Sequence, residues 1–381
     1  MYNTIYLDNA ATTWPKPETV YQAVETTMRE LGANPGRSSH RMSLEAEKII
    51  EQARQSVKYF FNAASPQRVI FTLNCTDSLN IAIKGLIKRG MKVVTSPYEH
   101  NSVRRPLLSL QKEGVTVVTA HGTDKYQIDL DHFRELCSNG IDFAVLSHVS
   151  NVTGSVQPVA EIADIVHEQG GKLILDAAQS AGILDINLQE TGIDILAVSG
   201  HKGLYGPMGV GILVLAEDFP VRHFREGGSG AYSEVDYHPE VYPWRLEGGT
   251  PNLPGISGLA AGISFVRSAG VDAMGRHVAD LAEMAISGLR EIEGVRLYCG
   301  PEAPKTGVVS FTLERMDVAL AASVLDQAYQ IAVRGGLHCA PITHQELGTF
   351  PGGTLRASFG HFNNFVQVEQ LIEAVREMSR V

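Results

Sequence analysis

Cysteine is scarce in this chain and scattered. Cys75, Cys137, Cys299 and Cys339 make no C-x-x-C pair and no dense framework. That spacing argues against a disulfide scaffold or a cysteine-rich zinc site, and it fits a reducing compartment. No polybasic run occurs, and the net charge is −10. A general nucleic-acid binder needs Lys and Arg clustered against phosphates, so nucleic acid is not an expected partner, and neither is an anionic membrane surface. No uninterrupted apolar stretch approaches the roughly 18 residues that span a bilayer. Met1 to Asp8 contain no basic segment followed by a long apolar one. No secretory signal is therefore read there, and the expected location is the cytoplasm. Internal repeats, low-complexity tracts, a lysine-bearing P-loop and a dinucleotide GxGxxG are all missing, and no metal site is expected.

What is present is an ordinary globular composition, 44% hydrophobic and 19% charged over 381 residues. It suffices for a large core in about two domains. Between residues 68 and 215 short apolar runs alternate with helical patterns. The runs are Val69-Ile70-Phe71, Val93-Val94, Val115–Val118, Phe143–Leu146, Leu173–Leu175, Ile195–Val198 and Val210–Leu215. Many are continuous rather than alternating, as strands of a mostly parallel sheet buried on both faces are. The class expected is α/β. Residues 16–31 read as a helix, with Pro17 in its first turn and Gly32 at its stop. Beyond residue 255 longer helices are expected at 257–269, 272–290, 317–330 and 364–378, with brief strands near Val295–Tyr298, Val308–Thr312 and Leu355–Ser358. This reads as a smaller α+β domain, and the Gly- and Pro-rich stretch Gly248–Gly255 marks the boundary.

The sharpest local signal is Ser199-Gly200-His201-Lys202-Gly203. A lysine follows a buried-looking strand and precedes a glycine-rich turn, where a backbone can pack closely on a ligand. A desolvated lysine can form a Schiff base; taken alone, Lys202 reads first as a surface lysine beside a hairpin. Asp176 ends the run Leu173–Leu175, at the strand end where open α/β sheets bind ligands. It could pair with a pyridinium nitrogen, or merely cap a helix. Cys75 and Thr76 open a helix after the Arg68–Thr72 strand, a place that favours an anion. His100 follows the Val93–Ser96 strand, where an imidazole can lie on an aromatic ligand and move protons. Asn151 lies just past a strand, where turn chemistry also favours asparagine.

Taken in order, ten short motifs resemble the class V aminotransferase group and, within it, the cysteine desulfurases and selenocysteine lyases of group II. They begin at Leu7-Asp8-Asn9-Ala10 and Gly36-Arg37-Ser38-Ser39-His40, and continue through Cys75-Thr76-Asp77, Glu99-His100-Asn101, His148–Asn151 and Asp176–Gln179. Ser199–Lys202, Gly249–Asn252, Gly336–Ala340 and Leu355–Ser358 complete the set. The resemblance implies a fold-type I enzyme of pyridoxal 5′-phosphate (PLP). Its large domain would be 14–254, with a seven-stranded, mostly parallel sheet, and its small domain 1–13 plus 255–381. It also implies roles. Lys202 would hold PLP as a Schiff base and move protons, Asp176 would bind the ring nitrogen, and Gln179 and Asn151 would lie by the ring hydroxyl. His100 would stack on the ring, while Thr76, the Cys75 backbone, Ser199 and His201 would hold the phosphate. Thr250 would reach the phosphate of the other subunit of a homodimer. Arg356 would clamp the substrate carboxylate, with Asn9, Ala10, Arg37 and Arg334 lining the substrate region. Cys339, between Arg334 and Arg356, would be the nucleophile that takes sulfur from L-cysteine, or selenium from selenocysteine, and passes it to an acceptor protein. Read by itself it is equally a packing cysteine, in which case the chemistry would be another class V reaction, a transamination or β-elimination on a different amino acid. Two departures stand out. The stretch Thr343–Gly353 is longer and richer in glycine than in the familiar sulfur-mobilising members, and Gly36 replaces a histidine common there.

Overall fold

The computed structural model describes residues 4–36, 39–300 and 305–380. Its first half contains β1 (Ile5–Tyr6), α1 (Glu18–Glu30), α2 (Arg41–Phe60), β2 (Val69–Thr72), α3 (Cys75–Leu86), β3 (Lys92–Thr95), α4 (Asn101–Lys112), β4 (Thr116–Thr119) and α5 (Leu130–Cys137). There follow β5 (Phe143–Ser147), α6 (Val159–Glu168), β6 (Lys172–Asp176), α7 (Leu188–Thr191), β7 (Ile195–Ser199) and β8 (Gly211–Leu215). The second half contains α8 (Leu253–Ala269), α9 (Val271–Arg290), β9 (Val295–Leu297), β10 (Val308–Leu313), α10 (Val318–Tyr329), β11 (Ile331–Ala332) and β12 (Arg334–Gly336). It ends with α11 (Pro341–Glu346), β13 (Thr354–Ser358) and α12 (Phe365–Ser379).

The seven apolar runs of the first half become one seven-stranded sheet, ordered β2-β8-β7-β6-β5-β3-β4. Pairing is parallel from β7 to β4, and β8 runs antiparallel to both of its neighbours. β5, β7 and β8 are buried at every residue, whereas the edge strand β4 exposes Thr116 and Thr119. Successive side chains point to opposite faces. Leu173 and Leu175 accordingly join the core that includes α2 and α6, and Ile174 joins the core that includes α3 and α4. Helix α2 escapes the sequence reading because much of its inner stripe is small: Ala46, Ile50, Ala53 and Val57 lie at helical spacing and are all buried. The expected boundary at 254/255 falls in the first turn of α8. This helix turns Leu253, Ile256, Leu259 and Ile263 into the core of the large sheet, each burial stabilising by about 1.5–3 kcal/mol.

A second sheet, antiparallel and ordered β12-β13-β10-β9, is covered by α9, α10 and α12 around Leu281, Phe311, Leu355 and Leu371. The N-terminal segment belongs to this layer: Leu7 is in its core, and β1 pairs in parallel with β11. The chain then crosses to the large sheet, where Thr13 Oγ1 donates to the Lys202 carbonyl at 3.0 Å and Lys16 Nζ to the His201 carbonyl at 2.8 Å. The loops after β6 and β7 touch backbone to backbone. A Cβ on Gly203 would lie 2.3 Å from the Ala181 carbonyl oxygen, and one on Gly182 would lie 2.2 Å from the Gly203 carbonyl oxygen. Only glycine permits this approach, which brings the Lys202 loop against the loop that follows Asp176.

Candidate active site

One pocket lies where the ends of β5, β6 and β7, the starts of α3 and α4, and the edge of the small sheet meet. From the large sheet it receives Ser147, Asn151, Asp176, Gln179, Ser199, His201 and Lys202. The two helix starts add Cys75, Thr76, His100 and Ser102, the N-terminal segment adds Ala10, and the small sheet adds Arg334 and Arg356. Residues expected from sequence to act together thus share one cavity, although 346 positions separate Ala10 from Arg356 (356 − 10).

The start of α3 is built to receive an anion. Asn74 caps the helix and its side chain takes only the Asp77 N–H, at 2.9 Å. The N–H groups of Cys75 and Thr76 precede any intrahelical carbonyl they could reach. They lie at the positive end of the helix dipole. Thr76 Oγ1 lies 2.7 Å from Ser102 Oγ, which lies 2.9 Å from His100 Nδ1. His100 caps α4, its Nδ1 accepting the Ser102 N–H at 3.1 Å, so the ring proton resides on Nε2. Burial pushes the His100 pKa down to about 4; Asp176 opposes that push and Lys202 adds to it.

Asp176 is 5% exposed, and its Oδ1 accepts the Ala178 N–H at 2.9 Å and the Cys75 thiol at 3.3 Å. Lys202 makes no ion pair or side-chain hydrogen bond among the described residues. Burial lowers its pKa, with Asp176 pulling the other way. Arg356 is 1% exposed. Its Nη2 is held by Asp8 at 2.8 Å, its Nη1 donates to the Asn151 carbonyl at 3.1 Å, and its Nε has no partner among the described residues. Arg334 pairs in register with Arg356 across β12 and β13, so two guanidinium-bearing side chains enter the same wall.

Cys339 is exposed, at the rim beside the pocket-lining residues His338 and Arg334. Arg334 Nη2 lies 3.7 Å from its Sγ. His338 and Cys339 both take left-handed φ, 49° and 59°, a conformation costing about 1–3 kcal/mol per non-glycine residue. Surrounding bonds hold it: Asn101 N–H to the Cys339 carbonyl at 2.7 Å, Asn151 Nδ2 to the His338 carbonyl at 2.7 Å, and His338 Nε2 to the Thr354 carbonyl at 3.0 Å. The stretch Thr343–Gly353 is tied down as well, since Thr343 Oγ1 donates to the Pro97 carbonyl at 3.1 Å and His344 is wholly buried.

Two expected site residues, Asn9 and Thr250, lie elsewhere. Asn9 donates through Nδ2 to the Ser358 carbonyl and to Asn363 Oδ1, both at 3.0 Å, and lines a smaller cavity behind Lys202. Thr250 lines a separate cleft with Arg225 and Trp244 and does not line the pocket of its own chain. Arg37 lies outside the described residues. Sequence reasoning passed over Ser102, Ser147, Glu99 and Asp8. Glu99 is buried and accepts from Ser147 N–H at 2.9 Å and Ser147 Oγ at 2.8 Å, tying the His100 turn to the end of β5. A carboxylate directly before His100, just past the end of β3, was the signal available for it. Among the described residues no group of three or more His, Cys, Asp or Glu could hold a metal, and no helix is long and apolar enough to cross a membrane.

The buried histidines make stability pH-dependent. Burial is the main cause that lowers His100, His148, His201 and His344 each to about 4, from the usual 6.5. The folded chain therefore binds fewer protons than the unfolded chain, and stability is lost as pH falls from about 6.5 toward 4. Glu99 acts oppositely. Burial raises it to about 7, so its contribution is lost as pH rises from about 4.5 to 7. The histidines outnumber it. The urea midpoint is expected to drop between pH 7 and pH 5, and His148→Asn, which lies outside the pocket lining, should reduce that slope. A midpoint unchanged over this interval would contradict the assignment.

Comparison with known proteins agrees with this fold. The aminotransferase class-V family matches residues 5–371. A probable cysteine desulfurase of Pyrococcus abyssi is 36% identical over 384 residues, covering 98% of this chain and 94% of that protein. The apo structure of a cysteine desulfurase from Thermococcus onnurineus superposes with a TM-score of 0.93 at 34% identity, covering 99% of this chain and 95% of that one. The Escherichia coli cysteine desulfurase CsdA, in its S-sulfonic acid form, gives a TM-score of 0.89 at 28% identity, covering 98% and 94%.

Proposed function

We propose, from the premise that the chain belongs to the aminotransferase class-V family and within it to the cysteine desulfurases, that it uses PLP on Lys202 to take sulfur from L-cysteine and release L-alanine. The convergence of Lys202, Asp176, the bare start of α3 and Arg356 on one pocket, with Cys339 at its rim, carries this reading.

The residues present fit PLP. The N–H groups of Cys75 and Thr76 suit a phosphate, Asp176 suits a ring N–H, and Lys202 is an amine without a competing partner. When bound, the cofactor supplies the electron sink that lets substrate Cα lose its proton and weakens the substrate's C–S bond. The chain supplies the rest. Burial lowers the Lys202 pKa and so favours the neutral, nucleophilic amine, and the same amine would then move the proton at Cα. Thr76, Ser199 and His201 would complete the phosphate cradle, the ring of His100 would pack on the cofactor, and Gln179 and Asn151 would serve its hydroxyl. Arg356, oriented by Asp8, grips the substrate carboxylate, with Arg334 and Ala10 around the substrate. Cys339 takes the sulfur: its Sγ bonds to the substrate sulfur as the C–S bond breaks, that bond's electron pair passes to the departing alanine skeleton, and a persulfide remains for an acceptor. Thr250 serves the pocket of a second copy in a homodimer, which accounts for its absence from its own.

The test is a product balance. Purified chain with PLP, L-cysteine and excess dithiol is expected to release alanine and sulfide one to one, with one dithiol oxidised per sulfide. Selenocysteine, run beside it, is expected to give alanine and selenide. A 2-oxo acid without sulfide would sink this reading in favour of transamination.

A further inference from the structure

We infer that Cys75, beyond lending its backbone N–H to the phosphate, is a positioning residue whose thiol sets the charge on the carboxylate facing the cofactor ring. This rests on reading the pocket as a PLP site. Among the described residues two donors reach Asp176, and both use Oδ1: the Ala178 N–H at 2.9 Å and the Cys75 S–H at 3.3 Å. Oδ2 receives neither. The carboxylate is thereby turned, with one oxygen held by protein and the other left toward the cavity that Asp176 lines. Cys75 is also the first residue of α3, the helix whose start fits a phosphate. One residue therefore joins the two ends of the ligand site.

The kind of donor matters. A thiol donates weakly, whereas a hydroxyl in the same place would form a stronger charge-assisted bond and draw more charge from the acceptor. Cys75 is 7% exposed, and burial beside Asp176 raises its pKa well above the usual thiol range, so it stays protonated and adds no second negative charge to the carboxylate. Asp176 is left held in place while giving up little of its charge to the protein donors, as suits a group that faces a ring nitrogen.

The test compares wild type, Cys75→Ser and Cys75→Ala as holoenzymes loaded with PLP labelled with nitrogen-15 in the ring. Ring-nitrogen shifts are read by solid-state NMR, and PLP dissociation constants by dialysis. Cys75→Ser is expected to move the shift toward neutral pyridine, and Cys75→Ala to move it the other way, toward pyridinium. Dissociation constants are expected to stay within about threefold of wild type, a difference below one kcal/mol. A packing role would not send a smaller and a near-isosteric side chain in opposite directions. Shifts that move the same way in both variants, or in neither, overturn the inference alone. No labelled PLP on Lys202 in wild type overturns it together with the functional reading.

Discussion

Lys202→Ala is expected to abolish desulfuration, with kcat for L-cysteine falling by about 10⁴-fold or more, because in the proposed reaction one residue would provide both the covalent anchor and the proton carrier. The loss should come from chemistry rather than folding. Among the described residues the Lys202 side chain makes no hydrogen bond or ion pair whose removal would strain its surroundings, and its loop is held through main-chain atoms, by Thr13, Lys16 and the contact of Gly203 with Ala181. The variant should therefore keep the wild-type far-ultraviolet circular dichroism and still bind PLP non-covalently at α3 and Asp176. Borohydride should no longer trap the cofactor, whereas in wild type it should leave the adduct on Lys202 in peptide mass spectrometry. Lys202→Arg should not rescue, since a guanidinium keeps the charge and stays protonated. An adduct found on another amine, or a Lys202→Ala enzyme within tenfold of wild type, would refute the assignment.

The large sheet was legible because its strands are buried on both faces and read as unbroken apolar runs; β5, β7 and β8 are the clearest. The long C-terminal helices were legible for the opposite reason, a one-sided stripe such as Leu281, Ala285 and Leu289 in α9. What stayed hidden was either small or short. Alanines weaken the stripe of α2, and β1, β11 and β12 span only two or three residues, too few for any period. β12 nevertheless matters most to the site, since its pairing with β13 puts Arg334 beside Arg356.

The site itself was legible as a set of strand-end and helix-start positions, and local chemistry alone left Lys202, Asp176 and Cys339 ambiguous. Tertiary structure resolves part of that ambiguity. Asp176 faces a cavity and takes a thiol as well as a backbone N–H, so it is more than a cap. Asn151 sits where expected but also ties the His338 carbonyl, a long-range bond that no turn propensity forecasts. Asn9 was singled out as a substrate-region residue; its amide instead joins Ser358 to Asn363, which only the pairing of distant segments could reveal.

Cys339→Ala separates sulfur transfer from every earlier step. With L-cysteine, sulfide release is expected to fall by about 10²- to 10³-fold, the range seen when a transition-state group is removed but binding and electrostatics survive. PLP binding, borohydride trapping on Lys202 and exchange of the substrate Cα proton should persist, because Cys339 is not among the residues lining the pocket. Folding should persist too. The Cys339 side chain is exposed, and the left-handed backbone is held by the carbonyl bonds to Asn101 and Asn151, which alanine keeps. Selenocysteine gives the sharper contrast. A C–Se bond is weaker than C–S and its selenolate leaves more readily, so attack by an external nucleophile matters less. The same variant should therefore retain activity with selenocysteine within about tenfold of wild type, a barrier change no larger than roughly 1.4 kcal/mol. Equal losses with both substrates would place Cys339 in substrate binding or loop geometry instead. No loss with cysteine would remove it from the reaction, whatever the 3.7 Å contact of Arg334 with its sulfur.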